Sequence, residues 1–233
     1  MPELEIKGYQ QSSMIEWPGL LVDMIFLGGC NLRCPYCHNP DLIPANKVPS
    51  YDVNEILAEL ERRKETGWLD GVSITGGEPT LSKRLPEFLK ILGDFGLKRK
   101  IDTNGTNPEV VQKILDEGLI EYIAMDVKAI PKSYEKAVGR KVNFTKIRQT
   151  IDIIINSDID HEFRTTVVPT IVTPKDLLII AEIIAGAKRY YIQEFRPLKC
   201  YDKSFETLKP YNRDILEKIC EQLKSRFKVC KVR

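Results

Sequence analysis

Apolar residues fall along this chain in two alternating rhythms. Short segments suited to strands occupy Leu20 to Leu27, an apolar run, and Gly71 to Thr75, Lys100 to Thr103, Glu121 to Val127, His161 to Val168 and Arg189 to Phe195. Between them, apolar positions recur every three or four residues, as on amphipathic helices. Val53, Ile56, Leu57 and Leu60 mark a helix from about 53 to 66, with Asp52 as cap and Glu55 completing a capping box. Leu85, Phe88, Leu89 and Leu92 mark a second, closed near Gly96. Asn107-Pro108 opens a third, which Gly118 ends. Ile147, Ile151, Ile154 and Ile155 line a fourth, Thr173-Pro174 caps a fifth that runs to about Ala185, and Pro210 to Arg226 form a sixth. Residues 4–11 and 227–232 read as short flanking strands, and 131–143 and 196–209 as looser segments.

Strand and helix alternate six times. This pattern predicts βαβ units and a mainly parallel sheet. Six units are too few for a closed eight-stranded barrel, so an open curved sheet is expected, although alternation alone equally allows a doubly wound sheet. There is no repeat, low-complexity tract or linker. A single domain is expected over 1–233, with its core at about 20–200 and a C-terminal helix and strand at 210–232.

Charge changes this picture little. The 35 basic and 33 acidic residues leave a net charge of +2, so no global attraction toward nucleic acid or anionic membrane is expected. The first residues lack a basic-then-apolar signal pattern. The longest apolar stretch, Leu177 to Ala187, contains Glu182 and is too short to span a bilayer. The expectation is a cytoplasmic protein with no nucleic-acid or membrane partner.

The chemistry concentrates after the first core strand. Gly28-Gly29 leads into Cys30-Asn-Leu-Arg-Cys34-Pro-Tyr-Cys37-His-Asn-Pro40, three cysteines spaced C-x3-C-x2-C. Thiolates are the soft ligands of zinc and of iron–sulfur clusters. A closed zinc site or an electron-transfer cluster normally takes four protein ligands. Three thiolates on a four-iron cluster would leave one iron open to a small molecule. Two other readings stand beside this one: Cys34-Pro-Tyr-Cys37 as half a zinc site or a redox pair, and a structural zinc module with His38 as fourth ligand. Cys200, Cys220 and Cys230 are scattered. Cys220 shares an apolar helical face with Leu216, Ile219 and Leu223 and reads as a core thiol, whereas Cys200 sits in an irregular segment where exposure is expected.

Polar groups stand at every strand end: Gly76-Gly77-Glu78, Asp102-Thr103-Asn104-Gly105, Asp126 with Lys128, Glu162 with Arg164 and Thr166, and Gln193-Glu194. In parallel α/β sheets ligands bind at these carboxyl ends. Gly76 and Gly77 let backbone approach a ligand closely. Asp126 can pair with Lys128 two residues on, and Arg164 can serve in a buried ion pair.

With Tyr36 before its last cysteine, the three-cysteine motif resembles that of the radical S-adenosylmethionine (radical SAM) enzymes. The resemblance implies a partial (β/α)6 barrel. It implies a [4Fe–4S] cluster on Cys30, Cys34 and Cys37, and reductive cleavage of S-adenosylmethionine to methionine and a 5′-deoxyadenosyl radical. It further implies that Gly76, Gly77 and Glu78 contact the methionyl amino group, that Asp102 and Asn104 lie near the ribose, and that Lys128 and Arg164 meet the carboxylate, with Asp126 beside them. Cys-His-Asn-Pro at the third cysteine is similar to the activating enzymes of glycyl radical enzymes. Gln11-Ser-Ser-Met-Ile-Glu-Trp17-Pro18-Gly19 resembles the type that activates anaerobic ribonucleoside-triphosphate reductase, whereas pyruvate formate-lyase activases tend to carry Asp-Gly-Pro-Gly there. The implied partners are a glycyl radical enzyme, the anaerobic ribonucleotide reductase, and an electron donor such as flavodoxin or ferredoxin. A small-molecule radical SAM enzyme, such as a deazaguanine synthase, is the other enzyme reading.

Overall fold

The computed structural model describes residues 4–233. Eight strands follow one another in the sheet in chain order, with no reversal. A doubly wound sheet would reverse its strand order at a switch point. The fold is therefore α/β with an open, mainly parallel sheet, in which the six expected core strands are joined by the two flanking strands expected at the ends. The chain divides into two compact units, one containing residues up to Asn31, Asp41–Thr103 and Glu109–Ile123, the other Leu32–Pro40, Asn104–Pro108 and Ala124–Arg233.

In the first unit, β1 (Ile6–Ser13) runs antiparallel to β2 (Val22–Leu27), which pairs in parallel with β3 (Gly71–Gly76), and β3 with β4 (Lys98–Thr103). Helices α1 (Val53–Glu65), α2 (Leu85–Asp94) and α3 (Pro108–Asp116) lie at the predicted positions. Asp52 caps α1 by accepting from the Asn54 and Glu55 N–H groups, and Leu85, Phe88, Leu89 and Leu92 are the buried face of α2.

Two residues of the stretch Gln11 to Gly19, Ser12 and Trp17, have duties within this unit. Asp23, fully buried in β2, accepts from Tyr9 Oη at 2.5 Å, from the Ser12 N–H at 2.9 Å and from two nitrogens of Arg63 at 2.9 and 3.1 Å. A carboxylate can remain in a core strand only with such partners. Ser12 takes a positive φ of 62° to reach it. Trp17 is buried against Tyr122, ring centroids 5.5 Å apart. Met14 and Ile15, by contrast, are 75 % and 80 % exposed. Strand β1 thus extends to Ser13, beyond the expected end at residue 11.

In the second unit, β6 (Asp160–Val167), β7 (Arg189–Glu194) and β8 (Val229–Val232) pair in parallel, and β5 (Tyr122–Asp126) enters from the first unit's residues. Helices α5 (Phe144–Asn156), α6 (Asp176–Ile183) and α7 (Arg213–Leu223) match the predicted ones. The segment expected to be loose at 131–143 instead begins with a helix, α4 (Pro131–Val138). Its signals are short: Pro131 in the first turn, Tyr134, Ala137 and Val138 at helical spacing, and Gly139 closing it at φ 64°. Residues 196–209 are irregular as expected, apart from a 3-10 turn at Lys203–Thr207. Among the described residues, no helix is long and apolar enough to cross a membrane.

Candidate active site

The end of β2 is built by backbone. Gly29 N–H donates to Leu42 O at 2.8 Å and Cys30 N–H to Ile43 O at 3.1 Å. Beyond β3, Gly77 N–H donates to Leu27 O and Glu78 N–H to Gly29 O, both at 2.8 Å. A Cβ on Gly77 would stand 2.0 Å from Gly29 O, and one on Gly76 2.4 Å from Leu27 N and O. These glycines are thus required first by the close approach of two strand ends, which fixes the backbone of Cys30. Gly77→Ala should push the Gly29–Cys30 peptide aside. The expected result is about 10–100-fold weaker iron–sulfur loading, the range for losing a supporting partner of a metal ligand. Iron titration, with circular dichroism to show that the helices persist, checks it.

Glu78 is buried, and its Oε1 accepts from Thr80 N–H at 3.2 Å, Thr80 Oγ1 at 2.6 Å and Thr103 Oγ1 at 2.8 Å. Three donors on one oxygen fix the position and orientation of the carboxylate. Asp102 is paired with the fully buried Lys100 at 2.6 Å, and Lys100 also reaches Ser73 Oγ at 3.3 Å. The sequence offered Glu78 and Asp102 as ligand contacts; Thr80, Thr103 and Lys100, which hold them, carry no motif that would reveal them.

In the second unit, Cys37 N–H donates to Cys34 O at 3.0 Å, making a tight turn. Arg33 N–H donates to Val138 O at 2.8 Å, at the end of α4. A Cβ on Gly139 would meet Arg33 O at 2.2 Å, so this glycine admits the loop as well as closing the helix. On another side, Asp202 N–H donates to Pro35 O at 2.9 Å, and His38 Nε2 lies 3.0 Å from Arg196 O. Among the described residues, no three His, Cys, Asp or Glu side chains gather around one point as ligands of a single ion do.

Asp126, at the end of β5, accepts from Arg164 Nε at 2.9 Å and Lys128 Nζ at 3.3 Å through different oxygens. The row continues: Arg164 Nη1 is 3.9 Å from Glu162 Oε1, which also receives Arg233 Nη1 at 3.3 Å, and Arg233 lies over the Tyr191 ring at 3.3 Å. Burial opposes ionisation of Asp126, but Lys128 and Arg164 outweigh it and hold its pKa down at about 2. Burial likewise opposes the charge on Lys128, and Asp126 and Cys34 outweigh it, so the lysine pKa is raised. Asn104 Oδ1 accepts from Thr106 N–H at 3.0 Å and Thr106 Oγ1 at 2.7 Å, a local turn that presents its amide group.

The remaining strand-end residues have structural duties. Gln193 Oε1 accepts from Thr166 Oγ1 at 3.3 Å, and Glu194 pairs with Arg213 at 2.7 Å. Cys200 is buried, contrary to the expected exposure, because its segment folds onto Glu206 through the Cys200 N–H.

The residues of the cysteine loop suit a thiolate-held cluster. None of the described cysteines is in a disulfide. Tyr36 Oη is buried without a hydrogen-bond partner. Burial raises the Cys37 thiol pKa, opposed by the Asn39 backbone and by Lys128.

A family model described as the Radical SAM superfamily matches residues 24–184. A protein of Methanocaldococcus jannaschii named as a glycyl-radical enzyme activating enzyme is 35 % identical over 209 residues, covering 87 % of this chain and 85 % of its own. The pyruvate formate-lyase-activating enzyme of Clostridium pasteurianum is 27 % identical over 200 residues, covering 82 % and 81 %. Among solved structures, SuiB of Streptococcus suis bound to S-adenosylmethionine superposes with a TM-score of 0.68 at 16 % identity, over 87 % of this chain and 48 % of that one.

Proposed function

Because the chain belongs to the radical SAM superfamily, and is by that membership an enzyme of a [4Fe–4S] cluster and S-adenosylmethionine, we propose that it activates a glycyl radical enzyme, the anaerobic ribonucleoside-triphosphate reductase. The observation that carries the activase reading is the near end-to-end match with relatives of that name. Bound together, the two cofactors supply reductive cleavage of the sulfonium and a 5′-deoxyadenosyl radical.

The chain's own groups bind and orient. Cys30, Cys34 and Cys37 would hold the cluster as thiolates, with the buried Tyr36 preceding the last of them in the chain. Gly76 and Gly77 offer backbone to the methionyl end, and Glu78, steadied by Thr80 and Thr103, accepts from its ammonium. Asp102 and Asn104 address the ribose hydroxyls. Lys128 and Arg164 donate to the carboxylate, a group that such cations recognise well. Asp126, already engaged by both cations, positions them rather than meeting the ligand itself. The electron arrives from a small donor of the flavodoxin or ferredoxin kind. The hydrogen removed is a glycine Cα–H on the partner.

The choice of ribonucleotide reductase rests on the stretch Gln11 to Gly19. The test combines the reduced, reconstituted protein with S-adenosylmethionine and the anaerobic reductase of the same organism. A glycyl radical seen by electron paramagnetic resonance, with matching 5′-deoxyadenosine, is expected. Deoxyadenosine with a radical only on a pyruvate formate-lyase-type partner would move the assignment to that class. Turnover of a purified small substrate with no protein partner would overturn the activase reading.

A further inference from the structure

We propose that Cys220 and Cys230 form a reversible dithiol–disulfide pair that ties α7 to β8. Their Sγ atoms stand 2.9 Å apart, closer than two unbonded sulfurs comfortably rest. Both side chains are buried, at 5 % and 6 % exposure. Cys220 shares the inward face of α7 with Leu216 and Leu223, and Cys230 is the buried residue of the four-residue strand β8. Neither belongs to the three-cysteine motif. A core thiol needs only apolar neighbours, whereas here two thiols face one another across an otherwise apolar contact.

The tie has a structural object. Strand β8 is short and pairs only with β7 among the described strands. Its end is held by Arg233 N–H on Ile192 O at 2.9 Å and by Arg233 O receiving Glu194 N–H at 2.8 Å. Arg213, at the start of α7, reaches both Glu194 and Val232 O. A covalent bond would close a short loop between helix and strand and secure the edge that carries Arg233 against Glu162.

The bond forms by exchange with a small-molecule disulfide. The two protein S–H bonds break, one S–S bond forms, and the oxidant's S–S bond is reduced to two thiols that take the two protons and two electrons. Burial raises both thiol pKa values, so exchange runs through opening of α7 from β8 or through the unfolded chain.

The test treats the full chain with oxidised glutathione twice, once as the folded, cluster-loaded protein and once as the cluster-free chain during refolding. Denaturing alkylation and peptide mass analysis follow. A Cys220–Cys230 linked peptide is expected, with a melting temperature about 5 °C above that of the reduced protein. The Cys220→Ala/Cys230→Ala variant should lose both the linked mass and the redox dependence of melting. Full alkylation of both cysteines after both treatments, or glutathione capping each one singly, would overturn the proposal.

Discussion

Cys34→Ala will strip the reconstituted protein of its iron–sulfur absorption and reduce 5′-deoxyadenosine formation to the level seen without enzyme. Cys34 is the most buried thiol of the motif, and its carbonyl anchors the turn that carries Cys37. Loss of one of three ligands removes the cluster's hold outright, beyond the roughly 10–100-fold cost of losing a supporting partner. The fold should survive, because the loop is kept in place by backbone bonds to Val138 and Asp202 that do not involve the thiol. Iron and sulfide analysis, circular dichroism and the cleavage assay separate the outcomes. A Cys30/Cys34/Cys37 triple variant that still produced deoxyadenosine would defeat the cluster assignment altogether.

The second large effect belongs to Asp126. Asp126→Ala leaves the side chains of Lys128 and Arg164, both mostly buried, without the carboxylate between them. Stripping the partner from a buried ion pair costs about 3–5 kcal/mol. Asp126 is about a third exposed, so about 2–3 kcal/mol is expected here, read as a lower urea midpoint. The pH dependence has a definite sign. The folded carboxyl titrates at about 2, below the ordinary value near 3.9. Its contribution is complete above pH 4 and is lost as the pH falls from about 4 to about 2, a change of about 2 kcal/mol. Asp126→Asn should flatten the stability profile in that window. It should also raise the KM for S-adenosylmethionine more than it lowers kcat, since it disturbs the aim of two binding cations. An unchanged acid profile would mean that the pair contributes nothing to folding.

Much of this architecture was legible because strands buried on both faces read as continuous apolar runs and the helices carry ordinary caps. The motif cysteines, Gly76-Gly77-Glu78 and the Asp126, Lys128 and Arg164 group stand out in the sequence for a different reason: they are polar or small residues placed where apolar runs end, although the structure also gives the glycines and the ion pairs packing duties. What stayed hidden depends on tertiary pairing. Helix α4 is only eight residues long, too short for its periodicity to stand out. The duty of Asp23 could not be read from its place in β2, because its partner Arg63 lies far along the chain. The burial of Cys200 follows from a segment without periodicity. Thr80 and Thr103 act through one buried carboxylate oxygen, a relation that adjacency in sequence does not encode.

The clamp on the cysteine loop also sets a schedule for biosynthesis. The segment Leu32–Pro40 emerges early from the ribosome, yet the groups that hold it, Val138, Arg196 and Asp202, are among residues translated much later. At about 5–20 residues per second, Pro35 waits on the order of 10–30 s for Asp202 to be made. During that interval the nascent chain presents Cys34 and Cys37 without their supporting backbone bonds, so the thiols meet the cell's oxidants and metal ions before they acquire a fixed geometry. A slower ribosome lengthens the interval in which the loop lacks these bonds.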